Sequence, residues 1–167
     1  MTLQESSLAT LHGWHPASSE QAALRDSVTA YVASRPAAWS RSGRPDHLTA
    51  SALVINVYRT CVLLGLHRKV GLWLQFGGHL EPGDRTLASA ALREATEESG
   101  LQTLRLVHEE PLRLDRHPAP CAPDARDHLD VQFLATAPDD ARPQVSEESA
   151  DVRWFPVGAL PHETDDA

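Results

Sequence analysis

The feature that most constrains this chain is a group of acidic residues near the end of a predicted helix, within the segment 77–101. Glu94, Glu97 and Glu98 are spaced i, i+3 and i+4, so a helix places them on one face. Gly100 follows as a helix stop, which puts the acids in the last two turns. The helix dipole is negative there, and each acid costs about 0.3–1 kcal/mol. A divalent cation would offset that cost, so the pattern indicates a metal site.

The composition is that of one ordinary globular domain. The chain has 167 residues, of which 41% are hydrophobic, and this is enough to form a single core. We therefore predict one domain over residues 1–167, with an N-terminal helical segment over about 1–46. The net charge of -8 argues against binding to a nucleic-acid duplex. An anionic substrate would then need a metal ion or a local arginine cluster to offset repulsion.

Neither end of the chain nor its cysteines indicate a secreted or membrane protein. The first residues carry no signal-peptide pattern, and the apolar runs are too short to cross a bilayer. Cys61 and Cys121 are too few and too far apart to indicate a disulfide scaffold or a zinc site. We therefore predict a cytoplasmic protein with no membrane partner, in which Cys61 is a buried structural thiol.

Hydrophobic periodicity and turn residues predict an α/β fold. The apolar spacing after Ser18 predicts a helix that ends before Pro36. A second helix is predicted to run from an N-cap at Asp84 to about Glu98, after a strand that the two glycines at 77 and 78 end. The predicted strands are Leu48–Val57, Cys61–Leu66, Leu72–Phe76, Leu101–Leu114, His128–Ala137 and Val152–Phe155, of which the first two form a hairpin. This order predicts strands and helices packed in layers within one domain.

The segment 78–101 carries a family signature. Gly78, Asp84 and the run Arg93–Leu101, which reads REATEESGL, resemble the Nudix box, whose pattern is G-x5-E-x7-R-E-U-x-E-E-x-G-U with U aliphatic. The resemblance implies a hydrolase of nucleoside diphosphates linked to a moiety X, with a Nudix-type α/β/α sandwich around a mixed β-sheet. The string Gly77-Gly78-His79 further resembles a bacterial subgroup of these hydrolases.

Two departures from the family pattern fall in the first half of the box. Asp84 stands where the family has Glu, and eight residues rather than seven separate it from Arg93. In the family, this first acid supports the loop and pairs with the box arginine, so the resemblance implies the same role for Asp84. The three acids of the helix are intact, and the departures therefore concern the geometry of the loop.

The resemblance also implies a catalytic mechanism. Glu94, Glu97 and Glu98 would bind Mg²⁺, or Mn²⁺ as a substitute, and a backbone carbonyl, which we assign to Gly77, would complete the coordination. Hard oxygen ligands suit Mg²⁺, which neutralises the diphosphate and activates the attacking water. Arg93 is expected to orient a box carboxylate by bidentate hydrogen bonding. Water then attacks phosphorus and breaks the diphosphate bond.

The general base and the residues that contact substrate are less defined by the pattern. In the family, the base is either a box glutamate or a glutamate in a later loop. Glu147 and Glu148 are the loop candidates, although both also fit ordinary solvated loop acids. His79, His128 and Asp130 are candidate substrate contacts. Their spacing alone does not favour a zinc site.

Two hypotheses of different class follow from these motifs. The first is a Mg²⁺-dependent pyrophosphatase acting on a small nucleotide or another diphosphate, as a monomer or homodimer. The second is a Nudix-fold nucleotide-binding or regulatory module without catalysis. Modules of this second kind usually have eroded box acids, whereas the acids here are intact, so the sequence favours the enzyme.

Overall fold

A computed structural model describes residues 1–42, 45–119 and 126–164. Cys121 lies outside the described residues. The elements in chain order are α1 (Leu3–Gly13), α2 (Ser19–Ser34), β1 (His47–Asn56), β2 (Cys61–His67), β3 (Trp73–Leu74), β4 (Phe76–His79), α3 (Leu87–Ser99), β5 (Arg105–Leu106), β6 (Arg113–Pro118), β7 (Asp127–Ala137) and β8 (Ser149–Pro156). No helix in these ranges is both long and apolar enough to span a membrane.

The strands of the described ranges form one mixed sheet around β1. The sheet has eight strands, with the order β3-β2-β1-β7-β5. Strand β4 pairs with β1, β6 with β7, and β8 with β2. The β1–β7 pair is parallel and aligns His47 with His128 and Asn56 with Ala137, whereas the other pairs are antiparallel. The crossover from β1 to β7 contains α3, as the rule for parallel strands requires.

The main core lies between one face of the sheet and the helices. Alternate residues of β1 and β7, such as Leu48 and Phe133, point to this face and are fully buried or nearly so. Helix α3 covers them with Ala91 and Ala95, whose small side chains allow a close approach to the sheet. Val28 of α2 and residues of α1 belong to the same cluster. The three helices therefore share one apolar core with the sheet.

The opposite face of the sheet is polar at one end and apolar at the other. The apolar end is a separate cluster that contains Ile55, Val62, Leu64 and Trp73. The polar end carries the alternate residues of β1 and β7 that do not point to the main core. They are His47, Thr49 and Ser51 on β1, aligned with His128, Asp130 and Gln132 on β7. Buried polar side chains in such a row indicate function, because an apolar row would cost less to bury.

Helix α3 begins two residues later than the sequence predicted. Its N-cap is Thr86, whose hydroxyl accepts the backbone N–H of Ser89, while Ser89 accepts the backbone N–H of Thr86. The prediction of an N-cap at Asp84 is wrong, because that carboxylate binds the backbone N–H of Glu81 and the side chain of Arg93 instead. The predicted stop at Gly100 is confirmed, with a left-handed φ of 72° at that residue.

Three further local predictions need correction. Gly77 and Gly78 do not end a strand but lie within β4, because they pair with β1 at Ser51 and Ala50. The strand predicted over residues 101–114 is two short strands, β5 and β6, which pair with different parts of β7. Cys61 is only half-buried, since it begins β2 at the end of the hairpin turn. Each error comes from pairing between distant segments, which local patterns do not contain.

Candidate functional site

Two acids of helix α3, Glu94 and Glu98, lie next to the consecutive glycines Gly77 and Gly78 of β4. The backbone N–H of Gly77 acts on the carboxylate of Glu98 and lowers its pKa, against the larger effect of burial. A Cβ atom built on Gly78 would lie 2.8 Å from the carboxylate of Glu94, so only glycine leaves room for that group. Glu97 is on the same side of the helix but exposed. The structure therefore brings Glu94 and Glu98 together over Gly77 and Gly78.

Arg93 connects these acids to the loop before the helix. Its Nε and Nη2 atoms donate to the two carboxylate oxygens of Asp84 at 3.1 and 3.0 Å. Its Nη1 atom donates to Glu94 at 3.0 Å and to Glu97 at 3.2 Å. Nη2 also reaches the carbonyl oxygen of His79 at 3.0 Å. The bidentate partner is Asp84, a carboxylate of the box, as the sequence predicted. The guanidinium thus connects the loop, the strand and the helix.

The altered first half of the box is consistent with this network. Asp84 is nearly buried, with 6% of its side chain exposed beside the arginine. Its second role is to accept the backbone N–H of Glu81 at 2.8 Å, which closes the turn between β4 and α3. The implied role of Asp84 as support for the loop and partner of the arginine is confirmed. The shorter side chain and the additional residue are absorbed before Thr86.

The electrostatics of the cluster indicate a deficit of positive charge. Burial raises the pKa of Glu98 to about 8, with the negative charges of Glu94 and Glu148 adding to the shift. Burial also raises the pKa of Glu94, although Arg93 acts in the opposite direction. Carboxylates that are desolvated and adjacent to one another favour either protons or a cation. Their oxygen donors suit a hard divalent ion such as Mg²⁺, so the residues present fit that ion.

The loop before β8 brings another acid to the cluster. The negative charge of Glu148 raises the pKa of both Glu94 and Glu98, so its carboxylate acts on the cluster. The loop is attached to the end of β2 by Arg68. The backbone N–H of Arg68 donates to the carbonyl of Glu148 at 3.1 Å, and its Nε donates to the carbonyl of Glu147 at 2.9 Å. Both glutamate side chains are exposed.

Asp130 is buried within the polar row of the sheet. One carboxylate oxygen accepts the hydroxyl of Thr49 at 2.8 Å, and the other accepts the hydroxyl of Ser51. Burial raises the pKa of Asp130, while these two hydrogen bonds lower it. Gln75 donates to the Ser51 hydroxyl at 3.0 Å. The carboxylate of Asp130 is therefore part of a hydrogen-bonded network inside the protein.

Three histidines meet at the end of this row. His47, His79 and His128 have ring centroids 4.9–5.2 Å apart. Burial lowers the pKa of His79 to about 4, assisted by the positive charge of Arg41. Burial likewise lowers the pKa of His128 to about 3, assisted by His117. His79 and His128 were candidates from the sequence, but His47 was missed. His47 could be recognised from its position at the start of β1 only when the register of β1 with β7 is known, because that register aligns it with His128.

Comparison with known proteins gives the family. The sequence model of the NUDIX domain matches residues 45–167. A hydrolase of the NUDIX family from Clostridium perfringens is similar to this chain, with 25% identity, a TM-score of 0.58, and coverage of 71% of this chain and 88% of that one. No curated protein shows significant sequence similarity to the chain.

Two further solved structures share the fold. An Ap4A hydrolase from C. elegans has 21% identity and a TM-score of 0.56, and the match covers 66% of this chain and 80% of that one. A MutT NUDIX hydrolase from Burkholderia pseudomallei has 20% identity and a TM-score of 0.55, with 72% and 91% covered. The mixed sheet with its helices is the Nudix-type α/β/α sandwich that the sequence predicted. The chain is a member of the Nudix hydrolase family.

Proposed function

We propose that this protein hydrolyses the diphosphate bond of a nucleoside diphosphate linked to a moiety X, with Mg²⁺ as the cofactor and Mn²⁺ as a substitute. The observation that carries the proposal is the convergence of Glu94 and Glu98 on the two glycines of β4. The two carboxylates are partly desolvated, and burial raises the pKa of each. Such an arrangement lowers the stability of the protein unless a cation is bound. Destabilising arrangements of this kind are expected at functional sites, and binding of a metal ion for diphosphate hydrolysis would explain this one.

The ion would be held by oxygens of this cluster. We propose Glu94, Glu97, Glu98 and the carbonyl of Gly77 as its ligands. When bound, it would neutralise the diphosphate and lower the pKa of the attacking water. Because the N–H of Gly77 acts on the carboxylate of Glu98, it points away from the partner residue Ser51 on β1. In an antiparallel pair of this kind the carbonyl points the same way, which supports the assignment of Gly77.

The remaining residues of the site orient the carboxylates and accept the proton of the attacking water. Arg93 holds Glu94 and Glu97 through one nitrogen, and its contacts with Asp84 fix the guanidinium. We propose Glu148 as the general base, because its charge acts on the cluster while its side chain stays exposed to water. Glu147 is the alternative in the same loop. The base accepts a proton as the water attacks phosphorus.

The proposed substrate is a small anionic molecule. The names of the structural neighbours include an Ap4A hydrolase and a dihydroneopterin triphosphate pyrophosphohydrolase, both of which name phosphate anhydrides. The net charge of -8 disfavours a nucleic-acid duplex as a partner. His128 and Asp130 lie in the polar row of the sheet, and His79 lies two residues after Gly77 on β4. We propose that the two histidines line the region that receives X. We further propose a cytoplasmic monomer or homodimer.

The test is a panel of nucleoside diphosphate derivatives, with release of nucleoside monophosphate or phosphate measured in Mg²⁺. We expect activity in the wild type and a loss of several orders of magnitude in Glu98→Gln and in Glu94→Gln, without loss of folding. Glu109→Gln, in the exposed loop between β5 and β6, is the matched control and keeps full activity. Absence of product across the whole panel would instead favour the binding module. Near wild-type turnover in Glu98→Gln would contradict the metal assignment.

A further inference from the structure

Three histidines from three different strands present their ring nitrogens to one point. His47, His79 and His128 each offer a nitrogen, and these atoms all lie within 4.8 Å of one another. His47 is fully buried, whereas the other two are half-buried. The point therefore has a buried side, at His47, and a partly exposed side, at His79 and His128. It is distinct from the carboxylate cluster, which uses oxygen donors.

A chain of close contacts orients the ring of His128. Nδ1 of His117 lies 2.7 Å from a carboxylate oxygen of Asp115. Nε2 of the same ring lies 3.3 Å from Nδ1 of His128. A carboxylate that orients a histidine in this way is typical of the outer shell of metal sites.

A second observation concerns His79. Its Nε2 atom is buried and has no hydrogen-bond partner among the described residues. A buried ring nitrogen usually has a partner, because an unpaired polar atom costs stability. The backbone carbonyl of the same residue is held by Arg93 at 3.0 Å, so the position of the strand is fixed. The unpaired nitrogen belongs to one of the three rings that lie close together at this point.

We propose that His47, His79 and His128 form a three-imidazole site for a transition-metal ion of the zinc class. Three neutral imidazoles suit Zn²⁺ and Co²⁺ better than Mg²⁺. A tetrahedral ion with bonds of about 2.0–2.1 Å holds its nitrogens about 3.3–3.4 Å apart, so rings within 4.8 Å need shifts of only about 1 Å.

A fourth ligand of this ion would be anionic. The positive charge of Arg41 acts on both His79 and His128, which favours a negative group beside the ion. His79 lies two residues after Gly77 on β4, about 6.6–6.8 Å along the strand. An anionic part of X could therefore bind here while its diphosphate lies at the carboxylate cluster. This site goes beyond the proposed hydrolysis, and zinc binding does not depend on that activity.

The experiment measures zinc content and the visible spectrum of bound Co²⁺ on the full chain after removal of free metal. We expect one Zn²⁺ per chain in the wild type and the intense spectrum of tetrahedral Co²⁺. Glu98→Gln keeps both signals, which separates this site from the carboxylate cluster. His79→Asn and His128→Asn each weaken zinc binding at least 100-fold. His108→Asn, on an exposed loop, is the matched control and binds as the wild type does.

The same measurements contain the results that would overturn the proposal. A folded wild type that retains no zinc would do so, as would folded His79→Asn and His128→Asn proteins that bind zinc with unchanged affinity. Loss of the signal in Cys61→Ser would place the metal at the thiol instead. Circular dichroism measures the folding of each variant. The two histidines are replaced separately, so that if one variant does not fold, the other still tests the proposal.

Discussion

Substitution of Gly78 by alanine should damage the carboxylate cluster while leaving the fold intact. The added Cβ would lie 2.8 Å from Cδ and both carboxylate oxygens of Glu94. Ordinary contacts of this kind need about 3.5 Å, so the carboxylate must move by about 0.7 Å or more. The backbone of Gly78 does not have a positive φ, and alanine therefore meets no conformational strain there.

The size of the effect follows from what Glu94 would lose. Its hydrogen bond from Nη1 of Arg93 is 3.0 Å long, and a displaced carboxylate would no longer lie at that distance. A shift of about 1 Å in a catalytic group costs about 100-fold in rate, or about 2.7 kcal/mol in the barrier. We therefore expect a fall in kcat/KM of about 100-fold. Stability should change by less than about 1 kcal/mol, because the end of a glutamate side chain can move without disturbing the core.

The assay combines three measurements on purified variants. Mn²⁺ binding by calorimetry reports on the cluster, kcat/KM on any substrate from the panel reports on function, and a urea titration reports on stability. Gly83→Ala is the matched control, because its Cβ meets nothing within 4 Å. Gly77→Ala is the opposite case. Its Cβ would lie 2.6 Å from Cα of Ser51 and 2.8 Å from the carbonyl oxygen of Ala50, so it should destabilise the fold by at least about 2 kcal/mol.

Two results would refute this reasoning. Wild-type Mn²⁺ affinity and kcat/KM in Gly78→Ala would mean that the position of Glu94 does not matter for function. If Gly78→Ala lost as much stability as Gly77→Ala, the added Cβ would be disturbing the packed structure and not only a movable carboxylate.

Two other variants test the electrostatics and the arginine network. The folded pKa of Glu98 is raised from 4.5 to about 8, so the metal-free wild type should lose stability as the pH rises from about 4.5 to 8. In EDTA, Glu98→Gln should reduce this dependence of stability on pH, to which Glu94 also contributes through its raised pKa. The variant should be about 1–3 kcal/mol more stable than the wild type at pH 7.5, after allowance for the part of the carboxyl that water reaches. An equal pH dependence of the two proteins in thermal melts would contradict the burial argument. Arg93→Lys keeps the charge but cannot hold Asp84 through two nitrogens while reaching Glu94, so kcat/KM should fall at least about tenfold. Unchanged kcat/KM in that variant would show that charge alone suffices.

The sequence was most informative where structure is local. The hairpin of β1 and β2 and the helix that carries the three acids follow from periodicity and turn residues a few positions apart. The stop at Gly100 was predicted correctly because a left-handed residue at a helix end is a local requirement. The helix start was predicted at Asp84, because aspartate is a favoured N-cap residue. That prediction was wrong, because the carboxylate of Asp84 binds Arg93, nine residues away.

By itself, the sequence determined the acidic face of α3 and the family signature around it, since residues three and four apart on a helix are neighbours in any fold. The tertiary structure decided which groups this face meets. It joined Arg93 to Asp84, placed Glu94 against Gly78, and brought His47 beside His79 and His128. The contact of His47 with His128 depends on the parallel register of β1 with β7, which are separated by the whole crossover that contains α3. A register of this kind is fixed by packing across the sheet and not by the residues of either strand alone.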